Sequence, residues 1–254
     1  KEIKSADDLV NLGTMDKRMS DFLVAAIKAK LNIIFSGATG AGKTTTLNVL
    51  STYIDDEERI ITIEDTAELH LSQEHVVRLE SRHSNIEGRG EVSIRDLFKN
   101  SLRMRPDRII LGEIRGSEAI DMLQAICSGH HGSLVVLHAN SPMDVIYRIE
   151  TMILTSGLPI SMEAIHRQIA AAVNLIVQQE QLSDGSRKIT HITQINGLKE
   201  GRAILEDLFV YDFEGLDADG KAKGRWNSTG VIPLSLPVFK KAGIELPQGI
   251  FKKD

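Results

Sequence analysis

At 254 residues, with 42% hydrophobic and 26% charged side chains, the chain has an ordinary globular composition and enough length to bury one large core. A net charge of −5 counts against a general affinity for nucleic acid, and the single cysteine, Cys127, excludes an internal disulfide or a cysteine-based zinc cluster and suits a reducing compartment. Apolar runs such as Ile169 to Val177 are too short to cross a bilayer, no secretory leader is recognisable, and an opening on Lys1 rather than Met is expected of a fragment of a longer protein.

The first strong element is Leu31-Asn32-Ile33-Ile34-Phe35, a short apolar run bounded by Ser36-Gly37 that reads as a buried strand. The next eight residues, Gly37-Ala38-Thr39-Gly40-Ala41-Gly42-Lys43-Thr44, fit the pattern G-x-x-x-x-G-K-[ST], and Thr45-Thr46-Leu47-Asn48-Val49-Leu50 reads as a helix start. Strand, glycine-rich loop and helix together make a phosphate cradle. The glycines let successive N–H groups point inward, and the helix adds its positive end. The segment from Gly37 through Ala38, Thr39, Gly40, Ala41 and Gly42 to Lys43, Thr44 and Thr45 is therefore expected to bind a nucleoside triphosphate. Lys43 would reach the β- and γ-phosphates, and the Thr44 hydroxyl would hold Mg²⁺.

Arg59-Ile60-Ile61-Thr62-Ile63 reads as a second strand, ending in Glu64-Asp65-Thr66-Ala67-Glu68, and His75 to Leu79 as a third. Ile94, Leu97, Phe98 and Leu102 share one helical face. Arg108-Ile109-Ile110-Leu111 is a further strand and ends in Gly112-Glu113. Hydrolysis needs an acid near the metal and an oriented water, and open α/β sheets bind ligands at the carboxyl ends of their strands. Two strands that end in Glu64 and Glu113 fit one such site. The common second motif of P-loop ATPases has Asp where this chain has Gly112, which leaves the work of the site to Glu113.

Beyond a helical stripe at Ile120, Leu123 and Ile126, the strand Ser133 to Leu137 delivers His138. His138 is expected to donate a hydrogen bond to the γ-phosphate and so to sense its loss. His130, His131 and His138 have no acid or cysteine between them that would complete a metal site. Arginines neutralise charge in phosphoryl transfer, often from a neighbouring subunit. Arg78, Arg82 and Arg89 flank the loop Ser81 to Glu91, and Arg103, Arg105 and Arg115 flank the Glu113 strand. Arg78 and Arg82 are the catalytic candidates among them.

Val145, Ile146, Ile149, Met152 and Ile153 mark another helix, and Met162, Ile165 and Ile169 the next. The turn Ser183-Asp184-Gly185-Ser186 between Leu175-Ile176-Val177 and Ile189 to Ile192 predicts a β-hairpin. A short strand, Ala203 to Leu205, should precede a loop from Gly215 to Gly224, and the last thirty residues, with Pro233, Pro237 and Pro247, should be irregular or short-helical. Strands and helices alternate through the first 180 residues or so, the pattern of a mostly parallel sheet covered on both faces. The expected division is a core over 1–178, with a hairpin and tail over 179–254 packed upon it.

Together these segments resemble the secretion ATPases of the type II/type IV superfamily. Four elements stand in family order: the phosphate loop, the acidic box Ile63-Glu64-Asp65-Thr66-Ala67-Glu68-Leu69, the atypical second motif within Leu102 to Gly116, and the histidine box Gly129 to Ser141. Asn85-Ile86-Glu87-Gly88, Asp121-Met122-Leu123-Gln124-Ala125 and Arg187-Lys188-Ile189-Thr190-His191-Ile192-Thr193 bring the likeness nearest to the tight-adherence (Flp) pilus assembly ATPases. The resemblance runs from Asp7-Asp8-Leu9-Val10 to the tail near Phe251. It implies an α/β fold, a RecA-like P-loop NTPase core with a mostly parallel sheet flanked by helices, plus a small C-terminal β-hairpin and irregular extension. It implies ATP and Mg²⁺ as cofactors, Glu64 orienting the attacking water and Glu113 serving the metal.

The same resemblance implies a cytoplasmic homohexameric ring docked on an inner-membrane platform protein, powering pilus assembly or protein secretion. Relatives carry a further N-terminal domain that packs over the nucleotide and contributes arginines, and this chain is expected to lack it. His131 departs from the acidic residue many relatives carry at its place, and the tetracysteine zinc site of some pilus-extension relatives is absent. The alternatives are a conjugation-type ATPase for export of DNA or effectors and a nucleotide-gated scaffold with little turnover. A nucleic-acid motor is disfavoured by the acidic balance and by 4% aromatic residues.

Overall fold

A computed structural model describes residues 3–253. In chain order its elements are α1 (Ala6–Asn11), α2 (Lys17–Lys28), β1 (Ile33–Ser36), α3 (Lys43–Ser51), β2 (Ile60–Glu64), β3 (Val76–Glu80), α4 (Ile94–Ser101), β4 (Arg108–Leu111) and α5 (Glu118–Cys127). They continue with β5 (Leu134–Leu137), α6 (Pro142–Thr155), α7 (Met162–Ala172), β6 (Leu175–Gln181), β7 (Arg187–Lys199), β8 (Arg202–Leu216), β9 (Ala222–Ser228) and α8 (Leu236–Lys241). Among the described residues the strands form one sheet in the order β3-β2-β4-β5-β1-β6-β7-β8-β9. Pairing is parallel from β3 across to β6 and antiparallel from β6 to β9.

Strands buried on both faces read as continuous apolar runs, and β1, β4 and β5 are buried at every position. The two-residue period then divides each run between two cores. Ile33, Phe35, Leu134, Val136, Leu175 and Val177 join α2 and α3 on one face. Ile34, Val135, Leu137 and Ile176 join α5, α6 and α7 on the other. Serine caps start α4, α6 and α7: Ser93 closes a capping box with Asp96 on α4, and the Ser141 and Ser161 hydroxyls accept from Asp144 N and Ala164 N.

The antiparallel extension is larger than a small hairpin. The predicted strand Ala203 to Leu205 is the start of the fifteen-residue β8, and only the middle of the predicted loop Gly215 to Gly224 is a turn. Asp217 closes it by accepting from Asp219 N and Lys221 N. The reason is physical. The far end of the β8–β9 ribbon leaves Phe213 and Leu216 about half exposed, so no in–out alternation marks it as strand. The tail is short-helical at α8 and returns to the body, with Phe251 packed edge-on to Phe22 at 5.2 Å between centroids and Phe239 at 5.9 Å.

Candidate functional site

The parallel strands β1, β4 and β5 end on one side of the sheet, around an open cleft of about 610 Å³. The phosphate loop forms its floor. Gly42, at φ 96°, is the N-cap of α3 and offers no side chain to it, so the first-turn N–H groups of the helix stay open to an anion. Gly37, at φ 152°, has no room for a side chain: a Cβ there would stand 2.1 Å from the Gln179 carbonyl oxygen.

Thr39, Gly40, Gly42, Lys43, Thr44 and Thr45 line the cleft. Gly37, Ala38 and Ala41 belong to the same loop but not to the lining; Gly37 and Ala41 are buried beneath it. Lys43 is nearly enclosed, its Nζ donating to Ala38 O at 2.8 Å and lying 3.3 Å from His138 Nδ1. Burial pushes its ammonium below the ordinary lysine range, while Glu113 and Glu68 pull it back up.

Glu113 and His138 come to the opposite wall from the ends of β4 and β5. Glu113 accepts from Arg115 Nη2 at 2.6 Å and lies 3.1 Å from His138 Nε2. Burial first and the Lys43 charge second hold His138 below the ordinary imidazole range, against the pull of Glu113. A neutral ring that accepts from Lys43 at Nδ1 must carry its proton on Nε2, where it donates to Glu113. Glu118 braces this wall by accepting from Arg115 N at 2.7 Å and Gly116 N at 2.9 Å.

Glu64 closes the cleft from behind rather than lining it. It is 3% exposed, and its Oε1 accepts from Glu68 N and Leu69 N, each at 2.9 Å. Gly112 is what makes room for it: a Cβ on Gly112 would meet Glu64 Cγ at 2.7 Å. The glycine that replaces the usual aspartate therefore houses the second carboxylate.

The arginines fall in different places. Arg78 and Arg82 stand at the β3 edge of the sheet, where they donate to Leu71 O and Gly90 O, and they do not line the cleft of their own chain. Arg103 is exposed and bonded within its own turn, to Lys99 O. Arg115 does line the cleft, and so does Arg187, which was not among the six. Gln179 was also missed; it lines the cleft and accepts from Thr46 Oγ1 at 2.8 Å. A basic residue placed directly after the hairpin turn was the available signal for Arg187. Of the three histidines only His138 lines the cleft; His130 lies against Ala125 O at the end of α5.

Residues 1–212 match the family model described as "Type II/IV secretion system protein". The chain is 34% identical to the type IV secretion system protein VirB11 of Bartonella quintana over 195 residues, 75% of this chain and 54% of that protein. It is 32% identical to the conjugal transfer protein TrbB of Rhizobium radiobacter over 196 residues, 76% of this chain and 57% of that one. Among solved structures, the VirB11 ATPase of the Brucella suis type IV secretion system, in complex with sulphate, superposes with a TM-score of 0.63 at 32% identity, covering 74% of this chain and 56% of that one. The chain thus spans little more than half the length of these relatives.

Proposed function

Because the chain belongs to the type II/IV secretion system protein family and has its RecA-like fold, we propose that it is an ATP-binding and ATP-hydrolysing motor domain that works in a homohexameric ring to power protein secretion or pilus assembly. The observation that carries this reading is the single cleft in which Lys43 and Thr44 face Glu113 and His138. On this reading the ring acts at the cytoplasmic face of the membrane through a platform protein. No helix among the described residues is long and apolar enough to cross a membrane.

The residues suit a hydrolytic site. First-turn N–H groups of α3 and the Lys43 ammonium bind the phosphates, Lys43 exchanging Ala38 O and His138 for phosphate oxygens. Oε1 of Glu64 takes both backbone bonds, and among the described residues Oε2 has no hydrogen-bond partner. That oxygen accepts from the attacking water and orients it. His138 turns its Nε2–H from Glu113 to the γ-phosphate and returns when that phosphate leaves. The hard oxygen donors Thr44 and Glu113 fit Mg²⁺, which takes one or two protein oxygens together with substrate phosphates. Bound there, Mg²⁺ would neutralise developing charge on the phosphates.

Three variants test the assignment. Lys43→Ala should lose nucleotide binding, whereas Glu64→Gln and Glu113→Gln should keep binding and stop turnover. Equal loss of binding in all three would sink these roles.

A second reading, export of DNA or effectors by a conjugation-type machine, is favoured by the relatives, one of which is a conjugal transfer protein and another a type IV secretion protein. Gene neighbours separate the two: prepilin genes support pilus assembly, and DNA-processing genes support conjugation.

A further inference from the structure

The wall of the cleft farthest from Glu113 is built by the start of β7, and one cation there has no role in the chemistry above. Sheet order places the ends of β4 and β5, with Glu113 and His138, on one side of the phosphate loop, and β6 and β7 on the other. Arg187 opens β7 in register with Gln181. Its Nε donates to Gly40 O at 2.9 Å, and its Cδ lies against Gly42, where a Cβ would come within 2.9 Å. Among the described residues neither Nη has a hydrogen-bond partner, and Arg187 faces the cleft. A guanidinium held by one nitrogen, exposed at a cleft floored by the phosphate loop, is set to bind an anion.

The strand that carries it is firmly held. Asp184 ties the β6–β7 turn by accepting from Ser186 N at 2.9 Å and Ala222 N at 2.8 Å. Lys188 donates to Gly13 O at 2.6 Å, and Ile189 N donates to Thr14 O at 2.7 Å. Thr14 is itself part of the cleft wall. The arginine is thus presented by a braced hairpin rather than by a loose surface loop.

We infer that Arg187 is a nucleotide-binding residue whose guanidinium grips phosphate oxygens common to ATP and ADP. The inference rests on the nucleotide reading above and goes beyond it. An arginine on the side of the loop away from Glu113 and His138 meets the α- and β-phosphates, not the γ-phosphate. Its contribution falls on affinity for both nucleotides and leaves the chemical step alone.

The test is calorimetric titration of the full chain, and of Arg187→Ala and Arg187→Lys, with ATP analogue and with ADP at two salt concentrations, alongside turnover at saturation. Arg187→Ala should weaken both nucleotides by roughly tenfold or more, the size of a lost charge-assisted contact, with kcat unchanged. The deficit should shrink at high salt, and Arg187→Lys, which keeps the charge, should recover part of it. Unchanged affinity in Arg187→Ala would overturn the inference. So would a deficit confined to the ATP analogue and accompanied by a fall in kcat, which would put the arginine on the γ-phosphate. A lysine variant as weak as alanine at every salt concentration would reduce Arg187 to a brace for the loop. Failure of the unmodified chain to bind either nucleotide would overturn the nucleotide reading and this inference with it.

Discussion

Gly112→Ala adds one methyl group, and the structure specifies what that methyl meets. The new Cβ would stand 2.7 Å from Glu64 Cγ, 3.2 Å from Oε1 and 3.4 Å from its Cβ. Contact at 2.7 Å between carbons is more than half an ångström inside their normal separation of about 3.5 Å. Glu64 cannot yield by a small rotation, because it is buried and its Oε1 is fixed by Glu68 N and Leu69 N. It must leave those two bonds. Hydrogen bonds to a charged group contribute about 1.5–3 kcal/mol each. A carboxylate that escapes toward water recovers part of that through hydration, so the net loss of stability should be about 2 kcal/mol. A displaced Glu64 no longer holds the water proposed for it, so turnover should fall by roughly 100-fold, the cost of displacing a positioned group by about 1 Å.

The assay is a double-mutant cycle in urea, with Gly112→Ala, Glu64→Ala and the pair. If the collision is with Glu64, Gly112→Ala should cost about 2 kcal/mol in the native background and close to nothing in the Glu64→Ala background, a coupling within the range seen for contacting residues. Additive effects would refute the claim that Gly112 exists to house Glu64. ATP titration of the single variant should show near-normal binding, since among the described residues neither Gly112 nor Glu64 hydrogen-bonds to the phosphate loop.

Three further expectations rest on separate observations. If Arg78 and Arg82 serve a neighbouring subunit's cleft, specific activity should rise with protein concentration as the ring forms and should fall in Arg78→Ala and Arg82→Ala; flat specific activity from monomer to oligomer counts against it. Asp184, held at about 2 by bonds from Ala222 N and Ser186, has a folded pKa below its ordinary 3.8. Its stabilisation is therefore complete above about pH 4 and lost as pH falls from there toward 2; urea midpoints of the native chain and Asp184→Asn should differ at about pH 5 and converge near pH 2. The imidazole of His138 should titrate below its ordinary value in an NMR pH series, and Glu113→Gln should lower it further by removing the nearby negative charge; an upward shift in that variant would contradict the arrangement.

What could be read from the sequence was local, and what could not was brought together by pairing. A strand end followed by glycines and Lys43, or by Gly112-Glu113, or by His138, announces a position at the carboxyl edge of a parallel sheet, and the structure gathers Lys43, Thr44, Glu113 and His138 around one cleft. Arg187 and Gln179 reach the same cleft only because β6 adds to β1 and β7 folds back antiparallel on β6. No run of residues carries that information by itself. The extent of β8 and β9 was hidden for another reason: the outer half of β8 is exposed at nearly every position, and β9 is mostly polar with a single buried position, Ser228. Gly112 was visible as a departure from the usual motif, yet its cause, the Glu64 side chain, comes from another strand.

The groups around the cleft share one property that bears on how a nucleotide would enter it. Each is already engaged with the protein: Lys43 with Ala38 O and His138, Glu113 with Arg115 and His138, Glu64 with two backbone N–H groups. Binding is then an exchange of partners, and each exchange yields only the difference between the old bond and the new. A full turn of Lys43 toward a phosphate would release His138, and a turn of His138 to a γ-phosphate would free Glu113 Oε1 while Arg115 keeps its bond to Oε2. The Arg115 and Gly116 N–H groups are held by Glu118 at the start of α5, so the series of contacts runs on from Glu113 to a helix rather than into solvent. Such a series of contacts from the phosphate loop to α5 would give loss of one phosphate a route to a rigid element, which the proposed motor needs and a static nucleotide carrier does not.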